Sequence, residues 1–545
     1  MIKTLEKYPI PSICILVAIM LFPNIDSLNV SIMEARNFIT AREMLTDGNW
    51  LLTTMNGNAR YEKPPLPTWL TAISSIIFGL KSLFGMRLPA IIMIMVVGSY
   101  IYKLSNTLLK NSFHSFLNGL IVVTSFYVIG IIIEAPWDIF THGFMLVGIF
   151  HLFQLFQKEK QYWIHTILAG VFIGFSFLSK GPVSLYVLLL PFVLAYSFTY
   201  KFKGLKAKSF SIFSVILIML VVGFWWYLFV RLQDPETFTA IAKKETSNWS
   251  SYNVRPFYYY WSFFTQSGLW TIPAFISLLY PYLKSRVSNL KAYKFSLFWT
   301  LFAIILLSII PEKKSRYLMP VLIPLSINIG FYIEYLFRSF KTLTDKRETF
   351  PVYFNFGLIA LIGIAFPFVS YFLLKENLTG FWLSFITTSI LLFTIGILIF
   401  LQLKKKRIKQ VVYLSILFIA SILVAGLPLS KAMTAENYNP ISNLKEDAAK
   451  QNLNVYSIDQ LTPEVVWQFG DKIPTIKNNG SELKLPNEKR FGLLANTMNQ
   501  KDETFLKSQY DFKKIATFDL NPVSLESRKH KDRLLNYYYI LTRKE

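Results

Sequence analysis

Ile32-Met33-Glu34-Ala35-Arg36-Asn37-Phe38-Ile39-Thr40-Ala41-Arg42-Glu43-Met44, continued by Gly48-Asn49-Trp50 and Arg60-Tyr61-Glu62-Lys63-Pro64-Pro65, follows directly on the first apolar run of the chain, residues 10–24. Acids, bases and helix formers are packed beside lipid here, which a plain connector rarely shows. The apolar piece after it, 66–83, sets the topology. Counted as a span, it inverts every later loop and puts the basic runs 201–208 and 404–409 outside. Read as a juxtamembrane helix at the outer interface, with Pro64, Pro65 and Pro67 at its start and Trp69 at headgroup depth, it leaves every basic run on the cytoplasmic side.

Composition agrees with a membrane protein. Of 545 residues, 53% are hydrophobic and 16% charged, more apolar surface than a soluble domain of this size can hide. The basic runs 103–110, 158–160, 201–208, 284–294, 338–347 and 404–409 mark cytoplasmic ends. Alternating spans between them gives 10–24, 87–104, 113–133, 138–156, 162–179, 181–200, 210–230, 257–282, 294–310, 316–337, 352–374, 380–402 and 411–428, about 13 transmembrane helices. The N-terminus is then cytoplasmic and the C-terminus outside. The basic start, 1–8, reads as the flank of an uncleaved first span, because no small-residue cleavage site follows it. The single cysteine, Cys14, excludes an intramolecular disulfide.

The net charge of +24 does not indicate nucleic acid. Residues 431–545 hold 18 Lys/Arg against 15 Asp/Glu, so nearly all the excess lies among the apolar segments, as topological signal and contact to membrane lipids. Two domains are expected: a transmembrane domain, 1–428, with a first extracytoplasmic loop at 25–86, and a small extracytoplasmic α/β domain, 429–545. In the latter, 455–458, 465–469, 491–494, 515–519 and 537–541 read as strands, and 441–451 and 503–510 as helices.

The polar residues hardest to explain structurally fall on the outer side: 25–66, 134–138, 179–181, 231–256 and 311–316. Glu34 is a candidate general base, and equally a residue complementing the N-terminal dipole of its helix. Lys63 could grip a phosphate or snorkel to the interface. Lys180, between two spans, is costly and therefore suggestive. Lys314, Arg316 and Tyr317 cap two spans on the same side. Glu134, Asp138 and His142 share one helical face, a weak metal pattern against the simpler reading of a hydrogen-bonded polar face. The loop 231–256, with Lys243, Lys244, Glu245, Trp249, Tyr252 and Arg255, leads into Pro256-Phe257-Tyr258-Tyr259-Tyr260-Trp261, suited either to a sugar phosphate or to an interfacial aromatic belt. No Walker loop, GxGxxG or Cys/His zinc pattern is present.

These pieces resemble a known family. Glu34-Ala35-Arg36, Ala41-Arg42-Glu43-Met44, Gly48-Asn49-Trp50, Tyr61-Glu62-Lys63-Pro64-Pro65, Arg87-Leu88-Pro89, Asp138, Leu178-Ser179-Lys180-Gly181-Pro182, Arg255-Pro256-Phe257-Tyr258-Tyr259 and Lys314-Ser315-Arg316-Tyr317-Leu318-Met319-Pro320 occur in the order of the ArnT-like and protein O-mannosyltransferase-like enzymes of the GT-C superfamily. The resemblance covers about 10–330 and is loose afterwards. It implies a polytopic α-helical GT-C membrane protein, in a bacterial inner membrane with its active site facing the periplasm. The implied reaction is inverting transfer of a sugar from a polyprenyl-phosphate donor to lipid A, another glycan or a protein. By resemblance Lys63 and Lys180 contact the carrier phosphate, with Arg255 and Arg316 as helpers. Arg36, Glu62, Tyr259, Lys314 and Tyr317 are candidate substrate contacts, and Glu62 and His142 candidate ligands of a divalent metal. Two departures stand out: the family's Asp-Glu pair is Met33-Glu34 here, leaving Glu34, Asp138 or Asp26 as base, and a histidine expected before Arg255-Pro256 is absent. A flippase for lipid-linked sugars and an inactive polyprenyl-lipid-binding relative remain the competing readings.

Overall fold

The computed structural model describes the chain apart from residues 1, 135, 203, 479–481 and 545, and leaves undescribed also the side chains of 2, 3, 131, 132, 134, 136, 249, 250, 477, 478 and 482. The side chains of Glu134 and Trp249 thus lie outside the described residues.

The first loop is built on the helix Ile32–Thr46, started by a capping box in which Ser31 accepts from the Glu34 N–H and Glu34 accepts from the Ser31 N–H. Ser31 Oγ also donates to the carbonyl of Ile133, tying the cap to the transmembrane part. Asn37 donates to Thr71 at 2.9 Å and accepts from Thr68 at 2.7 Å, holding the helix Leu66–Phe78 alongside. That second helix, 13 residues and hence about 20 Å long, is too short for a hydrocarbon core of about 30 Å. Its Ile73, Ile76, Ile77 and Phe78 are exposed, an apolar edge consistent with lying along a membrane.

Among the described residues, nine helices are long and apolar enough to cross a membrane, and each overlays a span expected from the sequence. The other four expected spans are shorter or broken. Pro9–Leu21 has 13 residues. The segment expected at 113–133 divides at Ser125 into Ser112–Thr124 and Phe126–Glu134. The one expected at 181–200 begins with a π-helical turn, Leu185–Leu189, before Leu190–Thr199. The one expected at 257–282 is a series of short pieces: Phe257–Tyr260, Phe263–Trp270, Thr271–Ser277 and Tyr280–Leu283. Pro256, Pro273 and Pro281 interrupt its hydrogen-bond ladder. Gly268 adopts φ 63°, and a Cβ there would sit 2.7 Å from Cβ of Phe126. This close approach links the two breaks, and Trp270 Nε1 reinforces it by donating to Thr124 Oγ1 at 3.0 Å.

The C-terminal part carries a four-stranded sheet in the order Val455–Ser457, Arg490–Ala495, Leu535–Arg543, Tyr510–Asp519, the first pair parallel and the others antiparallel. The segment 465–469, expected as a strand, is instead the end of the helix Pro463–Phe469. Pro463 opens that helix and Gly470, at φ 82°, closes it. This domain sits on the first loop. Asn56 bridges to Ile473 through two hydrogen bonds of 2.9 and 2.8 Å. Lys472 pairs with Asp47 at 2.9 Å, and the rings of Phe38 and Trp467 lie 5.2 Å apart. Asn56 is presented by an Asn-Gly hairpin, Thr54–Ala59, whose amides and Thr54 hydroxyl converge on buried Glu43.

Candidate active site

Glu34 is fully buried. Arg87 reaches it from the helix Leu83–Leu109 with two parallel hydrogen bonds, Nε to Oε1 at 2.7 Å and Nη2 to Oε2 at 3.0 Å. The same guanidinium donates to the carbonyls of Ile25 and Leu28. Burial pushes the Glu34 carboxyl up, and the Arg87 charge opposes the rise. Both carboxylate oxygens are therefore engaged in tying the first loop to the helix Leu83–Leu109. Arg87, quoted in the sequence only as part of a motif, is the partner that spacing did not reveal.

A second acid lies elsewhere. Asp138 occupies the first turn of the helix Pro136–Gln157 and is 2% exposed. Lys180, the last residue of the helix Trp163–Lys180, meets it at 2.5 Å. A cation at a helix C-terminus and an acid at a helix N-terminus are each favoured by the peptide dipoles. The chain can turn away directly after Lys180 because Gly181 takes φ 75°, and a Cβ there would lie 2.8 Å from the Tyr227 hydroxyl. His142, one turn along from Asp138, stands 3.8 Å from the same carboxylate oxygen.

Tyr317 joins this pair to the loop 311–316. Its ring centroid is 5.2 Å from Lys180 Nζ and 5.9 Å from Arg316 Cζ. Its hydroxyl donates to Glu312 at 3.1 Å, which also accepts from Lys314 at 2.5 Å. The loop is fixed by a bridge between Val254 and Glu312, by Arg255 N–H on the Pro311 carbonyl, and by Tyr260, whose hydroxyl bonds both the carbonyl and the N–H of Lys314. Buried Lys313, lowered by desolvation, donates to the carbonyls of Arg255 and Ile310. Lys180 and Arg316 thus share the Tyr317 ring. Lys63 pairs with Glu245 of the helix Pro235–Ser251 at 3.1 Å.

The remaining sequence-derived candidates are spread more widely. Arg36 is half-buried, and its carbonyl accepts from Arg60 at 3.0 Å. Arg255 is exposed and Tyr259 is 38% exposed, both at the outer rim of the loop pair. Sequence reasoning missed Arg60, which is buried with its guanidinium 4.9 Å from the Trp137 ring; desolvation, partly offset by the charge of Glu62, lowers it to about 10. Among the described residues, Glu62 Oε2, Trp137 Nε1, Thr141 Oγ1 and His142 Nδ1 are buried without a hydrogen-bonding partner. Polar atoms left in this state are the ones a polyhydroxylated ligand would satisfy. Among the described residues, which do not include the Glu134 side chain, no three His, Cys, Asp or Glu side chains come together as metal ligands.

The comparisons with known proteins bear on this arrangement. The family signature described as "Dolichyl-phosphate-mannose-protein mannosyltransferase" matches residues 62–227, which include Lys63, Asp138 and Lys180. The chain aligns with the solved structure of ArnT from Cupriavidus metallidurans bound to undecaprenyl phosphate with a TM-score of 0.71, over 97% of both chains, at 14% identity. Its fold is that of ArnT. The apo form of the same ArnT superposes with a TM-score of 0.68, over 96% of this chain and 97% of that one. In sequence the chain is 27% identical over 353 residues to the undecaprenyl phosphate-alpha-4-amino-4-deoxy-L-arabinose arabinosyl transferase 1 of Proteus mirabilis, covering 62% of this chain and 61% of that one. It is 24% identical over 316 residues to the corresponding transferase of Photorhabdus laumondii, covering 54% and 53%. The chain thus spans between about half and three fifths of these relatives' lengths, while the ArnT-like fold extends through the C-terminal sheet.

Proposed function

We propose that this ArnT-like chain is an inverting glycosyltransferase that moves a sugar from a polyprenyl phosphate to a cell-envelope acceptor such as lipid A, another glycan or a protein. The transmembrane domain 1–428 carries the chemistry at the periplasmic face of a bacterial inner membrane, and the domain 429–545 braces the first loop from the periplasm. The observation that carries the reading is the buried Asp138–Lys180 pair with Tyr317 and Arg316 beside it.

In this reading the carrier phosphate docks on Lys180 and Lys63, helped by Arg316 and, from the rim, Arg255. A phosphate that takes over Lys180 leaves Asp138 with a free oxygen, and one that takes over Lys63 releases Glu245. Asp138 then accepts the proton of the acceptor hydroxyl or amine as that atom attacks the anomeric carbon from the face opposite the phosphate. The bond between the anomeric carbon and the phosphate oxygen breaks, its electron pair leaves with the polyprenyl phosphate, and the cations stabilise that charge. Glu62, Trp137 and Thr141 supply unpaired polar atoms for the sugar, with Arg36, Lys314, Tyr317 and Tyr259 as further contacts on the acceptor side. The names of the relatives make 4-amino-4-deoxy-L-arabinose the first sugar to test.

The test is incubation of the purified protein with radiolabelled undecaprenyl phosphate sugars and lipid A. Transfer of label to the acceptor with inversion supports the proposal. Binding of the carrier with no turnover for any sugar would favour a flippase or an inactive lipid-binding relative.

A further inference from the structure

At the opposite end of the molecule's helices lies a second amphiphilic site. The helix Leu290–Ile309 has 20 residues, about 30 Å, and its C-terminus leads into the loop that carries Glu312, Lys314 and Arg316. Its N-terminal half borders a groove of about 680 Å³ against the end of the helix Leu190–Thr199. Lys291 and Lys294 stand at the top of this groove and Leu297, Phe298 and Leu301 continue it downward, facing Phe198. These positions recur every three or four residues, so they form one stripe on one helical face that changes from cationic to apolar along the axis.

The two cations are held but not neutralised. Lys291 Nζ lies 4.4 Å from the centroid of the Tyr200 ring, and Lys294 Nζ 5.7 Å from that of Tyr280. Among the described residues neither has a carboxylate partner, and no acid lines the groove. The volume falls in the range of small-molecule sites, about 300–1,000 Å³, enough for a headgroup and part of an acyl chain.

We propose that this groove is a site for an anionic glycerophospholipid of the leaflet opposite the active site. Its phosphate pairs with Lys291 and Lys294 and an acyl chain lies along Leu297, Phe298 and Leu301. Charge complementarity selects the anionic headgroup, and the direction of the stripe matches an amphiphile standing along the membrane normal. The length of the helix separates this site from the Asp138–Lys180 pair, so the occupant is distinct from the sugar carrier.

The experiment is native mass spectrometry of the full chain after detergent delipidation and reloading with dioleoyl phosphatidylglycerol, dioleoyl phosphatidylcholine or undecaprenyl phosphate. Wild-type protein is expected to retain phosphatidylglycerol over phosphatidylcholine. The pair Lys291→Gln/Lys294→Gln should reduce that retention about thirtyfold. The pair Lys404→Gln/Lys405→Gln, which removes the same charge elsewhere, should leave it unchanged. Leu301→Trp, which fills the groove without altering charge, should lower retention as well. Equal retention of both phospholipids, an equal loss in the Lys404/Lys405 pair, or undecaprenyl phosphate as the only lipid sensitive to Lys291 and Lys294 would overturn the assignment.

Discussion

Replacing Glu34 with glutamine separates a structural acid from a chemical one. Glu34 and Arg87 are 0% and 2% exposed, so solvent screens the pair little. Glutamine keeps the shape and one acceptor, but it loses the charge and turns an N–H group toward the second guanidinium donor. Removing one partner of a buried pair costs about 3–5 kcal/mol, because the other charge stays desolvated. Thermal unfolding of the purified protein in detergent should show a lower midpoint for Glu34→Gln and for Arg87→Met. The double variant Glu34→Leu/Arg87→Met should recover part of the loss, limited by the carbonyls of Ile25 and Leu28 that Arg87 also serves. Transfer per folded molecule should persist in Glu34→Gln. A variant that unfolds at the wild-type midpoint yet transfers nothing would refute this assignment and return Glu34 to the chemistry.

Other parts of the structure give equally direct expectations. Asn56→Ala removes two hydrogen bonds to Ile473, each worth about 1 kcal/mol net, and should increase amide exchange around 473 without lowering exchange protection in the transmembrane helices. Gly268→Ala should destabilise by about 1–3 kcal/mol, since φ 63° is strained for alanine and its Cβ meets Phe126; an unchanged unfolding midpoint would argue against the linked breaks. Asp519 is pushed up by burial but pulled further down by hydrogen bonds from Asn521, Asn437 and His530, so its folded value lies below its unfolded one. Its contribution is fully present above the unfolded value, about pH 4, and disappears as the pH falls through the folded value. Hydrogen exchange in the strand Tyr510–Asp519 should accelerate there, less steeply in Asp519→Asn.

The membrane part was legible because lipid demands long apolar runs, and the nine long apolar helices among the described residues follow that pattern. Where prolines and Gly268 break the backbone between 256 and 283, hydropathy still reads a span while the structure has short pieces. Val465-Val466-Trp467-Gln468-Phe469 reads as a strand by its β-branched and aromatic residues, yet Pro463 and Gly470 at the two ends are helix punctuation and decide the outcome. Lys63, Lys180, Arg316 and Asp138 stand out in the sequence as charges beside apolar runs. Their partners do not. Glu34 meets Arg87 across 53 residues and Lys63 meets Glu245 across 182, and only the folded chain sets such pairs.

Single-turnover transfer by Asp138→Asn, measured with saturating labelled undecaprenyl phosphate sugar and lipid A, tests the central claim most directly. Loss of a general base is expected to slow the chemical step by about 10²–10⁴-fold, with the protein folded and carrier binding retained through Lys63 and Lys180. Transfer by Asp138→Asn at the wild-type rate would contradict the account and move the chemistry away from the Asp138–Lys180 pair.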